Sequence, residues 1–300
     1  MTTAAVVGLV ILPVAAWVAL GLGLWLALRR STSALVFRLA AVFLAVWAVF
    51  ATTGVAWVVT AGGWSAIVRL ASSPQIIFEP SFAFVWLSGT VGAFGIFLLA
   101  FLLSQVVGRG YLALHRPRPV AWPSSLPRPV TPTELLAFRS THPDALAFTL
   151  LELRGFPRVE RRDVILVSDG LMARLTPTEF EAVVAHELGH IRELDGRYLT
   201  FFRTLSRMML WDPVFALFAT RLTEREEFRA DTDAVEWTHR PRALARALYK
   251  AAAVAEVRSP AFLPGLLGTG GRRGRQQATE RIRRLVALAE SGRFPEEPVD

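Results

Sequence analysis

The stretch Thr176-Pro177-Thr178-Glu179-Phe180-Glu181-Ala182-Val183-Val184-Ala185-His186-Glu187-Leu188-Gly189-His190 decides how this chain is read. Thr176 and Glu179 have the spacing of a capping box, Pro177 occupies the first helical position, and Gly196 offers a stop, so a helix is predicted from about Pro177 to Asp195. His186, Glu187 and His190 form an H-E-x-x-H pattern on it. Four residues is just over one turn, so both imidazoles project from one face and can share one tetrahedral Zn²⁺. Glu187 lies one residue round from His186. It is displaced from a ligand position but able to reach a water in the open position and take its proton. The chain has five histidines, and two of them fall here.

Outward from that helix, a catalytic zinc needs a third protein ligand on a facing element. Residues 224–233 read Glu-Arg-Glu-Glu-Phe-Arg-Ala-Asp-Thr-Asp, an acidic helical stretch opening near Thr223. Glu227 and Asp231 are four apart and share a face. This suggests Glu227 as ligand and Asp231 as the carboxylate that accepts the spare N–H of a zinc histidine. Glu224, three residues before Glu227, has a competing claim from spacing. Glu226 reads as part of a solvated face paired with Arg221, Arg225 and Arg229. The chain has no cysteine, which excludes disulfide frameworks, thiolate metal sites and cysteine nucleophiles.

With these motifs in place, the chain resembles the HtpX-type and CAAX-prenyl-protease-type membrane zinc metallopeptidases, which pair H-E-x-x-H with a later E-x-x-x-D. Glu227-Phe228-Arg229-Ala230-Asp231 stands in that role, and the likeness covers about Val164 to Lys250. It implies Glu227 as third ligand, one Zn²⁺ per chain, and helices around the zinc helix that lie at or in the membrane. The segment WDPVFALFATRLTEREE, residues 211–227, also looks like the BlaR-type metalloproteases. The chain departs from the HtpX pattern where a His-Pro element is usual, reading instead Arg275-Gln276-Gln277-Ala278-Thr279-Glu280-Arg281-Ile282.

The chain is 53% hydrophobic with mean hydropathy +0.40, too apolar for a purely soluble protein. Three membrane spans are expected, at about residues 4–28, 39–61 and 82–107, against the two expected of HtpX-type proteins. Arg29, Arg30 and Arg38 flank the first loop, and Arg109, His115, Arg116, Arg118 and Arg128 follow the third span, so the catalytic part is expected in the cytoplasm. A net charge of +8 and a pI near 11.1 fit anionic lipid headgroups rather than nucleic acid, because the basic residues sit beside apolar segments.

The expected organisation is a transmembrane region over 1–107, a Pro/Arg-rich extended linker over 108–132, a metalloprotease domain over 133–292 and a tail over 293–300. The expected fold is mainly α: N-terminal transmembrane helices, then a zincin-like (gluzincin) α+β metalloprotease domain. Asp163 to Ser168 reads as a strand whose edge is placed to pair with an extended peptide substrate. A last helix over about 279–291 sets its arginines on one side and Ile282, Leu285 and Leu288 on the other. Residues 198–221 read as a helix packed on the membrane face, 265–274 as a mobile loop, and His239 and Tyr198 as surface and interfacial residues rather than oxyanion donors.

The expected function is a zinc endopeptidase in the cell membrane of a prokaryote. It would act on membrane or membrane-associated proteins, with a quality-control role implied by the resemblance. The rivals are a regulatory protease with one dedicated partner and a zinc-binding scaffold without catalysis.

Overall fold

The computed structural model describes residues 17–27, short stretches between 36 and 73, and then 80–129, 131–153, 159–192, 212–255 and 272–294. The chain divides into two compact units, residues 1–102 with 202–222, and residues 103–201 with 223–300. The architecture is mainly helical with one small sheet.

In the first unit, residues 17–27 are helical, and the helix α1 (Pro80–His115) begins there. Trp17 stacks on Phe43 with ring centroids 4.9 Å apart, and Phe43 lies 5.4 Å from Phe218. Gly21 permits this, since a Cβ at that position would stand 2.6 Å from the Phe43 ring. Along α1, Phe84, Leu87, Val91, Phe94 and Leu98 recur at helical spacing, and each is more than half exposed. This reverses the usual burial of large apolar side chains and leaves a continuous apolar stripe.

Among the described residues, no helix is long and apolar enough to cross a membrane. Of the three expected spans, the third falls inside α1, and much of the first two lies outside the described residues, as do 198–211 and 256–271.

The second unit is built on four strands, β1 (Arg118–Pro119), β2 (Thr133–Phe138), β3 (Ala145–Leu153) and β4 (Val159–Ser168), in the order β1-β2-β4-β3. β4 pairs parallel with β2 and antiparallel with β3. Its apolar run is explained by burial on both faces, because successive strand residues point to opposite sides. Ile165 and Val167 join Leu135 and Ala145 in the main core, whereas Val164 and Leu166 join Leu136, Phe138, Phe148 and Leu150 beneath Tyr111 and Leu112 of α1.

The expected strand is therefore present but four residues longer, and it is interior. Over Asp163–Ser168 β2 takes one edge and β3 the other, so the expected stretch has no edge to offer a peptide. Even the outer edge of β3 is occupied at one point. The Gln105 side chain receives the N–H of Leu151 at 2.9 Å and donates to the carbonyl of Thr149, and Arg109 donates to the Leu151 carbonyl.

The stretch expected as an extended linker holds the end of α1, the edge strand β1 and the buried Leu126, with Val120 and Trp122 packed on the core. Its prolines suit an edge, where a missing N–H breaks no ladder bond.

Helices α2 (Asp169–Met172), α3 (Pro177–Arg192), α4 (Pro213–Thr238), α5 (Pro241–Ala255) and α6 (Arg272–Glu290) complete the chain. α3 opens with the expected capping box. Thr176 N–H donates to Glu179 Oε2 at 2.9 Å, and Glu179 N–H donates to Thr176 Oγ1 at 3.4 Å. Buried Glu179 also accepts from Lys250 Nζ at 2.6 Å and lies 3.4 Å from Arg246 Nε, which ties α3 to α5.

α4 starts ten residues before the expected opening near Thr223. Asp212 Oδ1 accepts the Val214 N–H at 2.9 Å and Pro213 takes the first helical position, so the pair is a start signal inside the segment expected as one helix. α6 likewise begins earlier than expected, and residues 272–274 of the expected loop belong to it.

Candidate metal centre

His186, Glu187 and His190 are carried by α3 one turn before its end, and all three are buried. α3 is packed through Ala182, Val183, Val184, Ala185, Leu188 and Ile191. Its C-terminal carbonyl at Ile191 accepts from Arg161 Nη2 at 2.6 Å, while Arg161 Nε holds buried Asp163 at 2.7 Å. The helix end next to His190 is thus fastened to β4.

Glu227 and Asp231, both buried, face this helix from the second half of α4. The approach is close because Gly189 meets Ala230. A Cβ on Gly189 would stand 3.1 Å from Ala230 Cα and 3.3 Å from its Cβ, tighter than ordinary packing. The small residue between the two histidines therefore opposes the small residue between the two carboxylates.

The ligand atoms of His186, His190 and Glu227 all lie within 4.8 Å of one another. Glu227 Oε2 is 3.5 Å from His186 Nε2 and 3.8 Å from His190 Nε2. Zinc bonds of about 2.0–2.2 Å at tetrahedral angles put two ligand atoms about 3.3–3.5 Å apart, so the first separation matches one shared ion and the second is slightly wider. Glu227 belongs to this group, and Glu224 joins no such group among the described residues.

Asp231 Oδ1 lies 3.0 Å from His186 Nδ1. Accepting that N–H leaves the Nε2 lone pair turned toward the ligand cluster. Buried Glu226 pairs with Arg229 at 3.0 Å as the expected helical ion pair, although on the inner rather than the solvated side.

The residue that sequence reasoning missed is Arg281. Expected only as one of the arginines on one side of the last helix, it is 1% exposed and reaches into the site. Nε donates to Asp231 Oδ2 at 2.8 Å, Nη2 to Asp231 Oδ1 at 2.7 Å, and Nη1 to Glu227 Oε2 at 2.9 Å. Nη2 also lies 3.3 Å from His186 Nε2. The apolar side of the helix is as expected, with Leu285 buried and Ile282 and Leu288 packed against the core. Its polar side differs, because a fully buried arginine is tolerated only where carboxylates meet it.

The electrostatics follow from this arrangement. Burial opposes ionisation of Glu227, but the Arg281 charge and hydrogen bonds from His186 and His190 outweigh it and hold the carboxyl well below its ordinary range. Asp231 is lowered by the same balance, with burial against Arg281 and His186. For His186, burial and the Arg281 charge disfavour protonation, yet hydrogen bonds to Asp231 and Glu227 prevail and push it up to about 9. The buried carboxylates Glu187, Glu227 and Asp231 all lie in the field of the buried Arg281 guanidinium.

His239 caps α4 with φ 55°, its ring 5.9 Å from Phe294, and is not in the ligand cluster. Tyr198 lies outside the described residues.

The model of Peptidase family M48 matches residues 120–220, which include His186 and His190 and stop short of Glu227. "Protease HtpX homolog" of Syntrophobacter fumaroxidans is 24% identical over 216 residues, 56% of this chain and 76% of the relative. "Protease HtpX homolog 2" of Methanosarcina mazei is 38% identical over 61 residues, 20% of this chain and 21% of the relative. "Protease HtpX homolog" of Moorella thermoacetica is 46% identical over 50 residues, 16% of this chain and 17% of the relative. The crystal structure of S. mikatae Ste24p overlaps with a TM-score of 0.37 at 15% identity, covering 74% of this chain and 64% of that one. The resemblance to HtpX-type metallopeptidases drawn from the motifs is borne out by the family match and the homologues.

Proposed function

We propose that this M48-type, HtpX-related chain is a membrane-bound zinc endopeptidase whose active site is the His186, His190 and Glu227 cluster with Glu187 beside it. The observation that carries the reading is the convergence of three buried ligand atoms from two helices at spacings suited to one tetrahedral ion. His186 and His190 through Nε2, and Glu227 through Oε2, would hold the zinc. Bound there, zinc supplies a Lewis acid that acidifies water and polarises a carbonyl.

The remaining steps belong to the chain's own residues. Asp231 keeps His186 in one tautomer by accepting from Nδ1. Glu187, adjacent to His186 and screened from solvent, takes a proton from the attacking water and returns it to the leaving amine. Excluding bulk water from these groups strengthens each electrostatic interaction among them.

The membrane setting is supported by the exposed apolar stripe on α1 and the overall hydropathy, and by the basic residues flanking the expected spans. With the catalytic unit on the cytoplasmic side, its substrates are membrane proteins or peptides with exposed cytoplasmic segments. Disposal of damaged membrane proteins is the role we assign, by likeness to the HtpX homologues.

The test is zinc content and cleavage of casein or a membrane peptide, in detergent, for wild type, Glu187→Gln and Glu227→Gln. Zinc kept but cleavage lost in Glu187→Gln, with both lost in Glu227→Gln, supports the reading. Stoichiometric zinc in wild type with Glu187→Gln identical in every assay would sink it in favour of the scaffold.

A further inference from the structure

α6 carries three arginines within four residues, and they do different things. Arg283 pairs with Glu280 at the surface, at 2.6 Å and 71% exposed. Arg284 lies over the Phe228 ring at 4.2 Å. Arg281 alone is buried, and the two carboxylates it grips are the ones that meet the candidate ligands. Its fork takes both oxygens of Asp231, which in turn meets His186 Nδ1, and its third nitrogen takes Glu227 Oε2, the ligand atom itself. A helix staple could have used Glu224, Glu226 or Asp233 of the same acidic run. The contact made is with the pair that orients the metal.

We infer that Arg281 is a positioning residue of the metal centre, holding Glu227 and Asp231 in the rotamers that present one ligand oxygen and fix one ligand imidazole. The inference rests on the peptidase reading above. The physical need is specific. Glu227 and Asp231 are buried four residues apart on one helix, and two carboxylates side by side repel and turn away from each other unless a cation lies between them. A guanidinium suits this task better than an ammonium because its planar fork grips both oxygens of one carboxylate and still offers a donor to another. With the carboxylates already in place, the site needs little rearrangement to receive an ion. Partners one step behind a ligand typically change metal affinity by about 10–100-fold when removed.

The experiment compares wild type, Arg281→Lys, Arg281→Gln and, as a control, Glu179→Gln, each as full-length protein in detergent. Zinc affinity is read by competition with a chelator, ligand geometry by the visible absorption of the Co²⁺-substituted protein, and folding by the thermal midpoint. Arg281→Gln is expected to bind zinc about 10–100-fold more weakly. Arg281→Lys should fall between it and wild type, with an altered Co²⁺ spectrum in both. Glu179→Gln should lower the midpoint and leave zinc affinity and the Co²⁺ spectrum as they are, which a merely structural part for Arg281 would also do. Where Arg281→Gln does not fold, Arg281→Lys decides, since it keeps the stem and the charge. Zinc and Co²⁺ held alike by wild type and Arg281→Lys would overturn the inference alone. Wild-type protein that takes up no zinc would overturn the peptidase reading and the inference with it.

Discussion

Two groups of buried acids in the second unit differ in what meets the carboxylate. Around Glu179, one carboxylate meets two cations, Lys250 at 2.6 Å and Arg246 at 3.4 Å, and also accepts the Thr176 N–H. Around Glu227, three buried carboxylates share one buried arginine. The first cluster is satisfied by the chain's own residues and joins α3 to α5. The second brings the ligand nitrogens of two imidazoles within 4.8 Å of a Glu227 oxygen. A carboxylate met by cations marks a joint, whereas two imidazoles and a carboxylate converging on one point mark a candidate place for a metal ion.

The largest effect that separates them is on catalysis. Glu187→Gln should lower kcat/KM for peptide cleavage by about 10²–10⁴-fold while zinc content stays that of wild type. Next comes the metal itself. A chelator should lower the thermal midpoint of wild type, because a ligand present at 100 times its Kd stabilises the folded state by about 2.7 kcal/mol. It should leave Glu227→Gln, which has lost its zinc, where it was. A chelator that moved both equally would break the distinction.

Glu179→Gln probes the other cluster. Glutamine keeps the capping box and loses the charge, and Lys250 and Arg246 are partly solvated, so the expected loss is about 1–2 kcal/mol in urea unfolding, with zinc affinity unchanged. Smallest is Asp212→Ala in the first unit, which removes the cap of α4 and the acceptor of Trp47 Nε1 at 2.8 Å. About 1 kcal/mol is expected there, again without a change in zinc affinity.

Local rules account for much of the site. The capping box, Pro177 and the four-residue histidine spacing are statements about one helix, and α3 obeys them. The Glu227 and Asp231 pair is likewise a one-helix spacing. Choosing Glu227 over Glu224 needed either the family likeness or the facing helix. Asp163 to Ser168 was readable as a strand because the apolar run Val164 to Val167 needs two covered faces, but its place between β2 and β3 depends on partners 30 residues before and 14–22 before along the chain.

By itself, then, the sequence determined the helix that carries His186, Glu187 and His190, the acidic helical stretch of Glu227 and Asp231, and the apolar face of the last helix, since each depends on neighbours within a turn or two. Only the tertiary structure decided where β4 sits in its sheet, that Pro213 opens a helix, and that Arg281 leaves an arginine-rich surface for the metal centre. A buried arginine is set by carboxylates 50 and 54 residues away, and no local periodicity distinguishes it from its exposed neighbours at 283 and 284.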